Sequence, residues 1–237
     1  MLAGFGARLS VDGRTVTITP GRELRGQAVA VPGDISSAAF LLVAGALVGD
    51  GRVTVARVGA NPTRAGLLDV LASMGARVER GVESSAAGEP VTDLTTASTA
   101  LRGTHVGGEL IPRLIDEVPI LAVAACAAAG RTRITDAAEL RVKESDRIGA
   151  IAAELGRMGA RVAERPGGLD IEGGVRLRGA TVGSGGDHRM AMALVVAGLI
   201  AEGETVVEDT ACINTSYPGF VAAVNSLAGR VCAEELP

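Results

Sequence analysis

Three stretches of the chain carry no charged side chain: "AAFLLVAGALVG" at residues 38–49, "PILAVAACAAAG" at 119–130 and "MAMALVVAGLIA" at 190–201. Apolar positions all round a helix predict a buried helix, and each run is well short of the ~20 residues that a membrane span needs. An acid precedes each run (Asp34, Asp116 and Asp187) at a place suited to an N-cap. After each run a glycine-bearing turn leads into β-branched residues, which predicts short strands around 53–55, 133–134 and 205–207.

A second pattern repeats at helical spacing. "GLLDVLASMGARVE" (66–79) and "IGAIAAELGRMGARVAE" (148–164) share the closing Met-Gly-Ala-Arg-Val. In the latter, Ile148, Ile151, Leu155 and Met158 fall on one face and Gly159 ends the helix. The unit is therefore two helices and several strands, and its recurrence predicts a layered α/β (α+β) fold around a pseudo-symmetry axis. In the third copy "GFVAAVNSLAG" (219–229) takes the place of the second helix. Residues 7–18 alternate like a hairpin around Asp12-Gly13 and read as the end of a unit that begins elsewhere. Residues 81–103, rich in Ser, Thr, Gly and Pro, predict a polar loop with an edge strand and no catalytic residue.

Charge concentrates at the mouths of these helices. "ELRVKESDRI" (139–148) places Lys143, Glu144 and Arg147 where a helix begins, and "GSGGDHRMAMAL" (183–194) places Arg189 just behind Asp187. A helix N-terminus opposes a cation by roughly 0.3–1 kcal/mol and favours an anion, so bases there make sense around a bound anion. Guanidinium forks suit phosphate and carboxylate. The alternative, which spacing leaves open, is a solvated face where Glu144 and Asp146 neutralise the bases. Asp116, read locally, is a plain N-cap. The two histidines, His105 and His188, have no neighbouring cysteine or carboxylate at metal-ligand spacing, so no metal is expected.

Composition narrows the functional classes. Net charge is −4, from 23 basic and 27 acidic residues, which supplies no general field for nucleic acid or an anionic membrane surface. Aromatic residues make up 2% against 47% hydrophobic overall, so base-stacking platforms are absent and an Ala/Val/Leu/Ile core is expected. Cys126, Cys212 and Cys232 form neither a disulfide framework nor a zinc motif, which points to a reducing, cytoplasmic setting.

In their order along the chain, "VPGDISSAAF", "NPTRAGLLDVL", "GGELIPRLIDEVPILAVAA", "ELRVKESDRI", "GDHRMAMAL" and "NTSYPGF" resemble the EPSP synthase (3-phosphoshikimate 1-carboxyvinyltransferase) family; "RVKESDR" and "DHRMAM" are the specific ones. The resemblance implies the enolpyruvyl transferase fold, βαβαββ units repeated around a pseudo-three-fold axis. It also implies that the chain matches the C-terminal half, with residues 1–31 as the last strands of the N-terminal domain and crossover, and 32–237 as the C-terminal domain. The implied reaction moves the enolpyruvyl group of phosphoenolpyruvate to the 5-hydroxyl of shikimate 3-phosphate, releasing phosphate, in the shikimate pathway to aromatic amino acids. No cofactor is implied.

By the same resemblance Asp116 would accept the hydroxyl proton and hold the ring, and Glu144 would protonate the methylene carbon, which requires burial to raise its pKa to ~6–7. Lys143 would assist both steps, while Arg147 and Arg189 would grip phosphate and carboxylate. Two positions depart from the family's pattern: Thr215 stands where some members carry a lysine, and Glu139 where others carry asparagine. The partner implied is a separate N-terminal half, without which the chain is expected to be inactive. A non-catalytic module associating with such a half, and a UDP-N-acetylglucosamine enolpyruvyl transferase, are the competing readings; "RVKESDR" argues against the latter.

Overall fold

The computed structural model describes residues 2–21, 23–49, 51–86 and 88–236. The expected hairpin is present as β1 (Arg8–Asp12) and β2 (Thr15–Thr19), with Asp12 opposite Thr15. Gly13 and Arg14 make the turn, and Gly13 takes a left-handed φ of +56°. Val11, Val16 and Ile18 are more than half exposed, and no described residue before Ile35 is buried.

Three helix-and-sheet units follow. The first holds α1 (Ile35–Leu47), β3 (Arg52–Gly59), α2 (Gly66–Ser73), β4 (Arg77–Arg80), β5 (Ser84–Ala86) and β6 (Glu89–Ala97), with strand order β3-β6-β4 and β5 on β6. The second holds β7 (His105–Val106), α3 (Ile111–Leu114), α4 (Val118–Ala127), β8 (Arg131–Ile134), α5 (Arg147–Arg157), β9 (Arg161–Arg165) and β10 (Gly168–Glu172), in the sheet order β7-β8-β10-β9. The third is smaller: a parallel pair of β11 (Thr181–Gly183) and β12 (Val206–Glu208), with α6 (His188–Leu199), α7 (Ile213–Ser216) and α8 (Phe220–Ala228).

The apolar runs became α1, α4 and α6, which pack on one another at the centre. Every residue of α4 from Val118 to Cys126 is buried, as an all-apolar helix must be. Burial also pushes the Cys126 thiol up to about 12. The second helices are amphipathic and lie outside this centre: Ile148, Ile151, Leu155 and Met158 turn inward on α5. Gly75 and Gly159, with φ of +91° and +88°, close α2 and α5 in the same left-handed way. Among the described residues no helix is long and apolar enough to cross a membrane.

The segment 81–103 corrects the expectation of a polar loop with an edge strand. It contains β6, the central strand of the first sheet, paired on both sides. Threonine reads as a loop residue by polarity, yet its branched Cβ suits a strand once the hydroxyl has a partner. Thr96 Oγ1 donates to the Leu42 carbonyl at 2.7 Å, and Thr92 Oγ1 to that of Gly81 at 3.0 Å.

The structure also exposes a repeat that pattern reading passed over. Leu-Arg-Gly occurs at 24–26, 101–103 and 177–179. Where the second and third copies enter their units, the Gly103 and Gly179 N–H groups donate to Ala129 and Glu202 at 2.8 Å. A Cβ on Gly103 would lie 2.3 Å from the Arg131 carbonyl oxygen, and one on Gly179 would lie 2.0 Å from that of Glu204. Gly103→Ala should therefore cost about 1–3 kcal/mol, seen as a melting temperature lowered by several degrees. A melt matching the wild type would mean that the two backbones separate freely.

Candidate active site

The site is assembled from helix mouths. Asp34 caps α1 by accepting from Ser37 N at 2.8 Å, Asp146 caps α5 by accepting from Gly149 N at 3.1 Å, and Asp187 caps α6 by accepting from Arg189 N at 2.9 Å. Asp116 does not follow, which corrects its local reading as an N-cap. It lies in a 3-10 turn, Ile115–Glu117, before a helix whose first turn contains Pro119, and its carboxylate caps nothing.

Instead Asp116 faces four cations from three segments. Arg189 Nη2 lies at 3.4 Å, Arg147 Nη1 at 3.5 Å, Lys143 Nζ at 3.6 Å and Arg64 Nη2 at 3.8 Å. Burial is the largest single influence on this carboxyl and acts upward. The fields of Arg189, Lys143, Arg147 and Arg64 together outweigh it and hold the group below the usual carboxylate range. The charged stretches at 139–148 and 183–194 thus meet at one point.

Arg147 lies beneath this point with a fully buried side chain. Its Nε and Nη2 fork onto Asp187 at 2.7 and 3.2 Å, and Nη2 also donates to Glu144 at 2.6 Å. Asp187 is equally buried and accepts a further bond from Ser145 Oγ at 3.1 Å. Burial acts upward on Asp187, but the Arg147 hydrogen bonds and charge prevail and hold its carboxyl low. Asp146 pairs with Arg141 at 2.9 Å, so of the two acids expected to neutralise the local bases only Glu144 is on Arg147.

The expected burial of Glu144 does not occur in this chain. Its side chain is 49% exposed, and its one hydrogen-bond partner among the described residues is Arg147. Lys143 bridges Asp116 and Glu139, with Nζ 2.8 Å from Glu139, and that hydrogen bond holds the ammonium above its usual range. Thr215 is exposed and donates locally to the Cys212 carbonyl at 2.6 Å. His188, beside the cluster, is held low by burial and then by Arg189. His105 bonds Thr135 at 3.2 Å and takes no part.

Three members were not anticipated. Glu117 is buried at 2% exposure, with burial pushing its carboxyl up against the opposing Ser36 hydrogen bond. Ser36 Oγ donates to Glu117 and accepts from Arg64 Nη2 at 3.0 Å. The repeat itself held a signal for Arg64: it stands just ahead of α2, as Lys143 to Arg147 stand at the start of α5. Among the described residues no three acids, histidines or cysteines gather as a metal would require.

The family model for EPSP synthase (3-phosphoshikimate 1-carboxyvinyltransferase) matches residues 1–224. The chain belongs to the EPSP synthase family. A 3-phosphoshikimate 1-carboxyvinyltransferase from Gloeobacter violaceus is 56% identical over 220 residues, covering 93% of this chain and 51% of that protein. One from Desulforudis audaxviator is 52% identical over 227 residues, covering 96% and 53%. The solved EPSP synthase from Acinetobacter baumannii superposes with a TM-score of 0.90 at 38% identity, over 97% of this chain and 53% of that one. The enolpyruvyl transferase NikO from Streptomyces tendae, at 23% identity and a TM-score of 0.74, shares the fold. The enolpyruvyl transferase fold expected from the sequence is the fold observed, and the chain spans about half the length of the curated relatives it matches.

Proposed function

We propose that the chain supplies the C-terminal half of a 3-phosphoshikimate 1-carboxyvinyltransferase site, acting in the cytoplasm on shikimate 3-phosphate and phosphoenolpyruvate. The observation that carries this reading is the convergence of Arg64, Lys143, Arg147 and Arg189 on Asp116, with Glu144 alongside. Several guanidinium forks around one acid suit a reaction between two anions in which a proton moves.

In this reading Glu144, protonated, gives its proton to the methylene carbon of phosphoenolpyruvate and leaves a cationic carbon at C2. The 5-hydroxyl oxygen of shikimate 3-phosphate bonds to that carbon, and its proton passes to Asp116 with Lys143 assisting. Glu144 then removes a proton from the new methyl group, the bond from C2 to the phosphate oxygen breaks, and phosphate departs as the hydrogenphosphate, the proton gained by Asp116 balancing the one it takes up. Arg147 and Arg189 counter the charge on phosphate and carboxylate.

The electrostatics of Asp116 give this sequence an order. A carboxylate held low by four cations is a weak base. Ligand anions that draw on Arg189 and Lys143 weaken that hold, so substrate binding itself raises the basicity of Asp116.

Residues 1–31 belong with the other half in this reading, supported by the lack of any buried residue among those described there, and 32–237 form the catalytic domain. The exposed flank of Glu144 supports a site completed by a separate N-terminal half, with the chain inactive alone. The test is phosphate release from the two substrates, by the chain alone and by the chain mixed with the N-terminal half of the Gloeobacter violaceus relative. Turnover is expected only in the mixture. No turnover when the added half is bound would overturn the assignment and leave the non-catalytic module.

A further inference from the structure

The four cations around Asp116 differ in what their donors already do. Arg147 is fully buried, and its donors go to Asp187, Glu144 and Asp116. Arg189, at 16% side-chain exposure, contacts Asp116 and Glu117. Lys143, at 22%, bridges Glu139 and Asp116. Arg64 is 50% exposed; one of its Nη atoms bonds the neutral Ser36 hydroxyl and stands 3.8 Å from Asp116. Its Nε and remaining Nη have no hydrogen-bond partner among the described residues.

An exposed arginine on a loose turn would mean little, but the turn is fastened at both ends. Arg64 N bonds the Asn61 carbonyl at 2.9 Å, and the Asn61 side chain accepts from Thr63 N at 3.0 Å and donates to Glu89 at 2.7 Å. Arg113 clamps the turn from the segment that leads to Asp116: its Nε donates to the Pro62 carbonyl at 2.7 Å and its Nη2 to Asp69 at 2.6 Å. Gly66 lets this clamp close, since a Cβ there would lie 2.9 Å from that of Arg113. The guanidinium is aimed in turn by a relay, with buried Glu117 accepting from Ser36 and Ser36 accepting from Arg64. A side chain fixed by its neighbours and left with free charged donors facing solvent is preorganised for a ligand.

We infer that Arg64 is a ligand-gripping residue of this site, donating to a carboxylate or phosphate oxygen of the anion that Arg189 and Lys143 also hold. The inference rests on the reading of the cluster as an anion-binding enolpyruvyl transfer site and adds a residue to it. It also offers a source for a cation absent at position 215, where the chain has threonine.

The test is a binding titration of the chain by NMR, with three probes: phosphoenolpyruvate, inorganic phosphate and pyruvate. Wild type, Arg64→Gln, Arg64→Lys and Arg189→Gln are compared, and a thermal melt of each checks folding. One lost charge-assisted bond predicts a Kd for phosphoenolpyruvate roughly 10- to 100-fold higher in Arg64→Gln, at an unchanged melting temperature. Arg64→Lys should fall between, since an ammonium keeps the charge without the fork. Phosphate weakening alongside phosphoenolpyruvate identifies the phosphoryl group as the one gripped, and pyruvate weakening identifies the carboxylate. If Arg64→Gln binds all three probes within about two-fold of wild type while Arg189→Gln loses phosphoenolpyruvate, the role of Arg64 is overturned and the site stands. If folded wild type binds none of the probes at millimolar concentration, the anion site itself falls, and this inference with it.

Discussion

Glu144→Gln, in the chain completed by an N-terminal half, is expected to lower kcat for phosphate release by about 10²- to 10⁴-fold while leaving the KM for phosphoenolpyruvate within a few-fold. Glutamine keeps the size of the side chain and can still accept from Arg147, so the 2.6 Å contact and the local fold survive. What it lacks is a transferable proton, and the proposed reaction needs one twice: first onto the methylene carbon, then back from the methyl group. A residue that only steadied Arg147 would tolerate the change with a small loss. A kcat within ten-fold of wild type, in a mixture whose wild-type counterpart turns over, would therefore remove Glu144 from the chemistry. The same geometry sets a condition on the working enzyme. Glu144 is here engaged with Arg147 and half exposed, so the proposed mechanism requires the completed site to cover it and to draw Arg147 toward a ligand.

Much of this arrangement was legible before any fold was drawn, and the parts that were not share a physical cause. The three uncharged runs announced α1, α4 and α6 because burial on every side leaves no polar stripe, and the 3.6-residue period announced α5. Lys143, Glu144, Arg147 and Arg189 stood out because bases at helix mouths are unfavourable without an anion. Asp116 was harder. An acid ahead of a helix reads the same whether it caps the helix or turns outward, and only the 3-10 turn before Val118 decides. Strand β6 was hidden because threonine's polarity and its branched Cβ point to different structures. Arg64 was hidden because an exposed arginine on a turn acquires meaning only from Ser36, Glu117 and Asp116, which lie 28, 53 and 52 positions away along the chain. The half-exposure of Glu144 was hidden because spacing along the chain does not show which elements pack over a side chain.

Asp187→Ala is expected to be the most destabilising single change in the site, at about 3–5 kcal/mol, or on the order of 10 °C in melting temperature. Two losses combine. The α6 cap disappears, with Arg189 N and Met190 N left without their acceptor, for about 1 kcal/mol. The larger loss is at Arg147, whose fully buried guanidinium forfeits its only fully buried acceptor among the described residues and is left with Glu144, half exposed, and Asp116 at 3.5 Å. An uncompensated buried charge costs more than the pair contributes, so replacing both partners, as in Asp187→Leu with Arg147→Met, should recover part of the loss. The pH dependence follows from the depressed carboxyl. A group whose folded pKa lies below its unfolded value near 3.9 contributes stability that is complete above that value and is lost as pH falls through the folded pKa. Wild type should thus lose stability below about pH 4 more steeply than Asp187→Ala, which lacks that titration. A loss under about 1 kcal/mol at neutral pH, or acid limbs that superimpose, would show that Arg147 is held by the packing around it and not by Asp187. In that case the placement of Arg147 beneath the proposed ligand site would need a different account.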